Sequence, residues 1–465
     1  MQTKLNLISE IVKRDGKSRI DNLAYLLNAK NLEECFGLLK TGRASGIDGV
    51  HLNDYEENLH ENLEKLVERM KNQSYKPQPV RRTYIPKANG KLRPLGIPSI
   101  EDKIVQKGIA RILNAIYENE FVDFSYGFRP SRSCHQALNK LDKIVQFQPI
   151  NHIIDADIKG FFDNVNHEWM MKFLELKIGD PNFLRLIKRF LKNGYMEEGI
   201  TYDTDVGTPQ GGIVSPILAN VYLHYALDLW IELAVKPNCK GVVEIIRYAD
   251  DFVICVQNKN EAEKILLALR ERLKKFNLEL AEEKTRLVEF GRSAKQNAKA
   301  KGQRPATFNF LGFTHFIDKT RMGKFKFGHK TDRKKLKAKL IAMNEWLKSI
   351  RNMVVLKEIW KILNAKLRGH YQYYGISGNY ENINQFYFLT LKMVYKWINR
   401  RSQKKSFNWD TFWEYIRKYP LPLPKICHDF YNFRATYENI NEEPYVGNLQ
   451  VRFCEGHGPS HNGKL

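Results

Sequence analysis

The feature that most restricts this chain is the segment IIRYADDFVICV at residues 245–256, an apolar run interrupted by two adjacent aspartates. β-Branched and aromatic residues on both sides favour strands. The break fits a hairpin with buried arms and with Asp250 and Asp251 at its tight turn, exposed at one end of a sheet. An isolated Asp-Asp pair is ordinary turn chemistry. What sets this one apart is a second apolar strand upstream, IIDADIKGFFD at residues 153–163, which also ends in acids. Asp157 brought beside Asp250 would create like charges that repel unless hard cations sit between them.

Oxygen ligands on rigid strands are the donor set of two-metal nucleotidyl transfer. One Mg²⁺ lowers the pKa of a primer 3′-hydroxyl, and the other holds the triphosphate and stabilises the leaving pyrophosphate. The charge agrees with a nucleic-acid substrate. The 465 residues hold 75 Lys and Arg against 52 Asp and Glu, a formal net charge of +23, which points to an extended polyanion. Anionic lipid and acidic protein are the alternatives on charge alone. At 43% hydrophobic the chain can build real cores, so wholesale disorder is excluded.

Lys4, Glu10, Lys13, Arg14 and Asp15 leave no secretory signal in the first twenty residues. The one long uncharged stretch, residues 206–227, contains Pro209, Gln210, Pro216 and Asn220, polar groups that a lipid-facing helix would satisfy poorly. No membrane partner is expected. Six scattered cysteines without a CxxC pair fit a reducing, cytoplasmic setting.

An α+β organisation follows from the alternation of patterns. Leu52, Tyr55, Leu59, Leu63, Leu66, Val67 and Met70 form one helical stripe, ended by Pro77, and Ile104, Val105, Ile109, Ile112, Leu113 and Ile116 form another. Strand-like runs lie at residues 151–158 and 242–257. The stretch GRSAKQNAKAKGQRPAT, residues 291–307, predicts a flexible loop. A domain boundary is expected near residues 328–331. Beyond it the pattern is mostly helical, as in Leu336, Leu340, Met343, Trp346 and Leu347. Residues 321–370 carry fifteen Lys or Arg against three acids, a basic surface interleaved further on with aromatic rings such as Tyr371, Tyr374 and Trp397 that suit exposed bases.

The blocks around these residues resemble the reverse transcriptases encoded by bacterial group II introns. YADD at 248–251 is similar to the catalytic box of that family, RTYIPK and KLRPLGIP at 82–98 to its fingers block, and SYGFRP at 125–130 to the next one. GTPQGGIVSP at 207–216 is similar to its glycine-rich block, with EKT at 283–285 and FLGF at 310–313 like the last palm blocks. LRGH at 367–370 and NRRS at 399–402 resemble recurrent pieces of its thumb.

The resemblance implies a right-hand polymerase. An N-terminal extension and the start of the fingers would occupy residues 1–80. Fingers and palm with an antiparallel sheet would follow at 81–328, an all-helical thumb or maturase (X) domain at 329–430, and a tail at 431–465 without an HNH endonuclease. Asp157, Asp250 and Asp251 would be the catalytic carboxylates and hold two Mg²⁺ ions. Lys87 and Arg93, either side of the Asn89-Gly90 turn, would meet the incoming deoxynucleoside triphosphate, and Gln210 would lie close to the templating pair.

Phe162 would block a ribose 2′-hydroxyl, its neighbour Phe161 alternating to the opposite face. Arg129, Lys284, Arg368, Tyr371, Arg400 and Arg401 would contact template, primer or intron RNA. Partners implied are the group II intron RNA, an RNA template with a DNA primer, and target DNA, in the bacterial cytoplasm. Cys454, His457 and His461, with Cys427 and His428 upstream, match no zinc-finger spacing. A splicing cofactor with incidental polymerase activity, or a domesticated enzyme of phage defence or CRISPR spacer acquisition, is the alternative.

Overall fold

A computed structural model describes residues 1–39, 42, 44–86, 92–197, 199–202, 207, 211–401 and 407–431. Its strands, among these residues, are β1 (Val80–Pro86), β2 (Leu92–Ile97), β3 (His152–Asp157), β4 (Tyr195–Glu197), β5 (Ile200–Tyr202), β6 (Val243–Tyr248), β7 (Asp251–Val256), β8 (Arg286–Glu289), β9 (Phe308–Phe310), β10 (Phe313–Lys319) and β11 (Phe325–Thr331). The chain divides into two compact units, residues 1–137 with 153–287, and residues 138–152 with those from 288 onward. β9, β10 and β11 belong to the second unit.

The first unit is built round the helix Ile100–Tyr117. Ser99 caps it, the hydroxyl accepting from the Asp102 amide at 3.2 Å. Thirteen of its eighteen residues are buried, more than a single amphipathic stripe provides, so it serves as a central rod rather than a surface helix. Each fully buried Ile or Leu along it contributes about 1.5–3 kcal/mol.

Two sheets surround this core. In one the strand order is β2-β1-β4-β5, with β1 and β2 antiparallel and in register from Arg81 opposite Ile97 to Pro86 opposite Leu92. In the other the order is β6-β7-β3-β8. The stripe from Leu52 to Met70 forms two helices, Leu52–Glu56 and Leu59–Lys71, rather than one. Asn58 between them, at φ −123° and ψ 36°, lies outside the helical region, which separates the two helices.

The second unit pairs a three-stranded sheet, β11-β10-β9, with the helices Arg333–Ile350, Leu356–Tyr374, Tyr380–Ile398 and Trp409–Lys418. Part of the region expected to be a loop is the helix Ala294–Ala300. Its Ala, Lys and Gln are strong helix formers despite having no apolar stripe. Lys301 and Asn297 bond Glu289, and Lys295 pairs with Asp318, which fixes it. No helix among the described residues is long and apolar enough to cross a membrane.

Candidate active site

The hairpin expected at residues 245–256 is present: β6 and β7 pair from Val243 opposite Val256 to Tyr248 opposite Asp251. Only Ala249 and Asp250 remain for the turn. Ala249 takes a φ of +60°, a positive first position as in a type II′ turn, usually glycine's place. The strain is held by contact: a Cβ on Gly127 would fall 2.3 Å from the Ala249 nitrogen, so the 125–130 segment lies directly against the turn.

Asp157 ends β3. The segment after it is bound to residues 279–285, with Lys159 N donating to Glu279 O at 2.8 Å and Ala281 N to Asp157 O at 2.8 Å. A following turn, Lys284 N to Ala281 O, swings the Lys284 ammonium onto Asp157, where it donates to Oδ2. The bond to Asp157 holds that ammonium above lysine's usual range. Two residues back along the same strand face, Asp155 is buried and takes Arg286 at 2.9 Å. Of the two acids in the strand, Asp155 is thus structural and Asp157 lies at the open end.

Burial pushes the Asp250 carboxyl up; its own amide lowers it, Asp157 adds to the rise, and Arg93 and Lys284 oppose it. These interactions place Asp157, Asp250, Lys284 and Arg93 in one electrostatic neighbourhood. Among the described residues no three His, Cys, Asp or Glu side chains converge as a ready metal site. Carboxylate oxygens are nevertheless the donors that a hard cation takes, and Asp157 already holds one cationic group, the Lys284 ammonium.

Glycines shape the approach from residues 207–216. A Cβ on Gly207 would meet the Phe162 and Asp163 carbonyls at 3.0 Å, and one on Gly211 would meet Gly96 O of β2 at 2.4 Å. The block is tied to the central helix through Ile213 N, which donates to Gln106 Oε1 at 2.7 Å. Phe161 and Phe162 lie in a 3₁₀ turn, not in a strand. Phe161 is core and Phe162 is half-buried, a separation that comes from the turn rather than from strand alternation. Lys87, the Asn89-Gly90 turn and Gln210 lie outside the described residues, as do Cys454, His457 and His461.

A reverse transcriptase (RNA-dependent DNA polymerase) family model matches residues 85–315. The chain is also 30% identical over 474 aligned positions to the group II intron-encoded protein LtrA of Lactococcus lactis subsp. cremoris, covering 82% of this chain and 76% of that one. The chain belongs to the group II intron-encoded reverse transcriptases. The reverse transcriptase is similar to protein YkfC of Escherichia coli (strain K12), 35% identical with 47% of this chain and 65% of that one covered. It is 40% identical to an uncharacterized 91 kDa protein in the cob intron of Schizosaccharomyces pombe, over 52% of this chain and 30% of that protein. It is a maturase-like RNA-dependent DNA polymerase, with divalent-metal chemistry implied by the family.

The reverse transcriptase puts some expected RNA contacts to other uses. Arg129 is buried and bonds Glu118 at 2.8 Å, Val122 O at 2.7 Å and Ser125 O at 2.9 Å, leaving its guanidinium no face for RNA. Tyr371 is buried too, its hydroxyl donating to Pro422 O at 3.0 Å. Trp397 is buried with Nε1 on Asn344, and Tyr374 is buried as well. Sequence patterning marks these rings only as aromatic, and helix packing claimed them. Arg401 is half-buried and donates to Val354 O at 3.2 Å. Arg368 and Arg400 are exposed.

The residue that sequence reasoning missed is Arg247. It is fully buried and places all five N–H donors: Asp228 Oδ1 at 2.7 Å, Asp228 Oδ2 at 2.5 Å, Asn220 Oδ1 at 3.1 Å, Ala249 O at 2.9 Å and Ser125 Oγ at 2.7 Å. Its backbone joins in, with Arg247 N to Phe124 O and Tyr126 N to Arg247 O, both 2.9 Å. Asp228 sits in a π-helical turn, His224–Asp228, a distortion that often marks functional sites. Burial pushes its carboxyl up, and the guanidinium opposes that. The available signal was a lone arginine inside an apolar strand, which needs a buried partner.

Proposed function

We propose that this chain copies RNA into DNA at the ends of β3 and β7, with Asp157, Asp250 and Asp251 holding two Mg²⁺ ions, and that it binds its own group II intron RNA to promote splicing and retrohoming. The observation that carries the reading is the sheet order β6-β7-β3-β8, which makes the strand ending in Asp157 a neighbour of the strand beginning at Asp251, with the Lys284 ammonium on Asp157; the upward push of Asp157 on the Asp250 carboxyl agrees with it. When bound, Mg²⁺ would acidify the primer 3′-hydroxyl and neutralise charge on the triphosphate.

The chain's own residues would do the rest. Lys284, which now donates to Asp157, would turn toward a phosphate oxygen once metal takes that carboxylate. Arg93, exposed on β2, would bind the triphosphate from the fingers side. Phe162 would close the floor beneath the sugar and exclude a 2′-hydroxyl. The tight turn would hold the backbone of Asp250 and Asp251 in place as substrate binds.

Primer extension on an RNA template with Mg²⁺ and deoxynucleotides tests the polymerase reading, and the absence of any extension by the wild type would refute it. Phe162→Val is expected to raise the relative use of ribonucleotides, measured as a kcat/KM ratio for ribo- against deoxynucleotides. An unchanged ratio would move the gate to another side chain. For the intron reading, the coding frame should lie inside an RNA that folds as a group II ribozyme, and the protein should speed splicing of that transcript.

A further inference from the structure

His167 opens the helix His167–Glu175 and is buried there. A buried imidazole needs a hydrogen-bond partner. The one it has lies 40 residues further along the chain: Nε2 donates to the Gly207 carbonyl at 2.6 Å. Because a carbonyl only accepts, the bond fixes a proton on Nε2. Asn166 caps the helix, its side chain accepting from Trp169 N at 3.0 Å, and so fixes the backbone from which the imidazole projects.

Both peptide groups of Gly207 are taken by this one segment. Its N–H donates to Val165 O at 2.8 Å while its carbonyl accepts from His167. Gly207 has a φ of +95°, and a Cβ on it would lie 3.0 Å from the carbonyl oxygens of both Phe162 and Asp163. Glycine is required for the backbone conformation and again for the close approach. The 3₁₀ turn it packs on has ties of its own, Asp163 N to Gly160 O at 2.9 Å and Asn164 Nδ2 to Lys159 O at 3.0 Å. Phe161 is anchored in the core against Tyr222, with ring centroids 6.3 Å apart, whereas Phe162 is half-buried and meets Phe161 edge-on at 5.4 Å. A buried histidine satisfied by a carbonyl is ordinary by itself. This carbonyl belongs to the residue packed on Phe162, which makes the bond part of what holds that ring.

We propose that His167 is a positioning residue for sugar selection: its bond to the Gly207 carbonyl keeps that backbone packed on residues 162 and 163 and so sets where the Phe162 ring stands. The proposal rests on the reading that Phe162 excludes a ribose 2′-hydroxyl. A residue that never meets the nucleotide acts here by geometry, and a small displacement of the positioned group is enough to change discrimination.

The test is primer extension by the full chain on an RNA template, with kcat/KM measured for a deoxynucleotide and for the matching ribonucleotide. His167→Leu keeps an apolar bulk in the site but donates nothing, and should raise the relative use of the ribonucleotide by about fivefold, the worth of one hydrogen bond. Two amides separate the bond from mere polarity. A Gln amide nitrogen stands as many bonds from Cβ as Nε2 does, while an Asn nitrogen stands where Nδ1 does. His167→Gln should therefore restore the wild-type ratio, and His167→Asn should not; if the leucine variant fails to fold, this pair carries the comparison. In a Phe162→Val background His167→Leu should raise the ratio no further, since both act through one ring. An equal loss of kcat/KM for both nucleotides, with the ratio unchanged, would make His167 a support of the fold alone and overturn the proposal. So would an Asn variant that behaves like the Gln variant. A ratio that rises in Phe162→Val but not in His167→Leu overturns the proposal and leaves the gate reading intact. No rise in Phe162→Val overturns the gate reading itself, and this use of His167 with it.

Discussion

Asp250→Ala is expected to lower RNA-templated primer extension by about a thousandfold or more, since a metal ligand is worth several kcal/mol of transition-state stabilisation and each ~1.4 kcal/mol is tenfold in rate. Folding should survive. The residue that needs a positive φ is Ala249, while Asp250 does not share that conformation, so alanine fits the turn. Burial and Asp157 raise the Asp250 carboxyl above its usual range. A carboxylate whose folded pKa lies above its unfolded value costs the fold stability as pH rises from the unfolded to the folded pKa, and the full cost remains above the latter. Removing that charge should therefore leave the metal-free melting temperature unchanged or higher at neutral pH. Any Mg²⁺-dependent rise in melting temperature should shrink, because the ion would lose a site present only in the folded state. Extension that survives the substitution would move the active site away from this turn. A lower metal-free melting temperature would show that Asp250 supports the fold rather than strains it.

The parts of this site that were legible from sequence are those in which local pattern and chemistry coincide. The arms of the hairpin, residues 243–248 and 251–256, are runs of strand formers interrupted only by Glu244, Arg247 and the aspartates, so both ends of the pairing were readable. β3 was readable for the same reason. Asp155 and Asp157 could not be ranked by spacing alone, because both lie on one strand face. The distinction comes from Arg286 and Lys284, partners about 130 positions away.

Cations and rings read as RNA contacts divided by burial, which sequence does not give. Arg129 and Tyr371 have the composition of a binding surface but are used internally. Conversely, Arg185, Lys188 and Arg189 sit on a helix, Pro181–Leu191, whose apolar side is so regular that they look like an ordinary solvated face, and only the return of the 73–80 segment, to which Arg185 and Arg189 bond, sets them in a groove. The helix Ala294–Ala300 was hidden for a different reason: it has helix-forming residues but scarcely any buried ones, so periodicity says nothing about it.

The second large effect concerns a residue that never touches substrate. Asp228→Ala should destabilise the first unit by about 3–5 kcal/mol, the usual cost of leaving one partner of a buried ion pair uncompensated, a large part of the ~5–15 kcal/mol that holds a domain folded. The partner left behind is a guanidinium with no exposed surface. Urea unfolding should show this as a lower midpoint, and an unaltered midpoint would mean that water or another acid replaces Asp228. Because an ion pair exchanged for apolar residues of similar volume is often neutral, the double variant Asp228→Leu, Arg247→Met should recover much of the lost stability. It should not recover activity. Arg247 also holds Ala249 O and Ser125 Oγ, the side-chain contacts that tie the strained turn to the 125–130 segment, and a methionine can make neither. Stability regained without extension would separate the two roles of Arg247: as a buried charge it is replaceable, but as the support that aims Asp250 and Asp251 it is not. Extension regained together with stability would show that packing alone sets the turn.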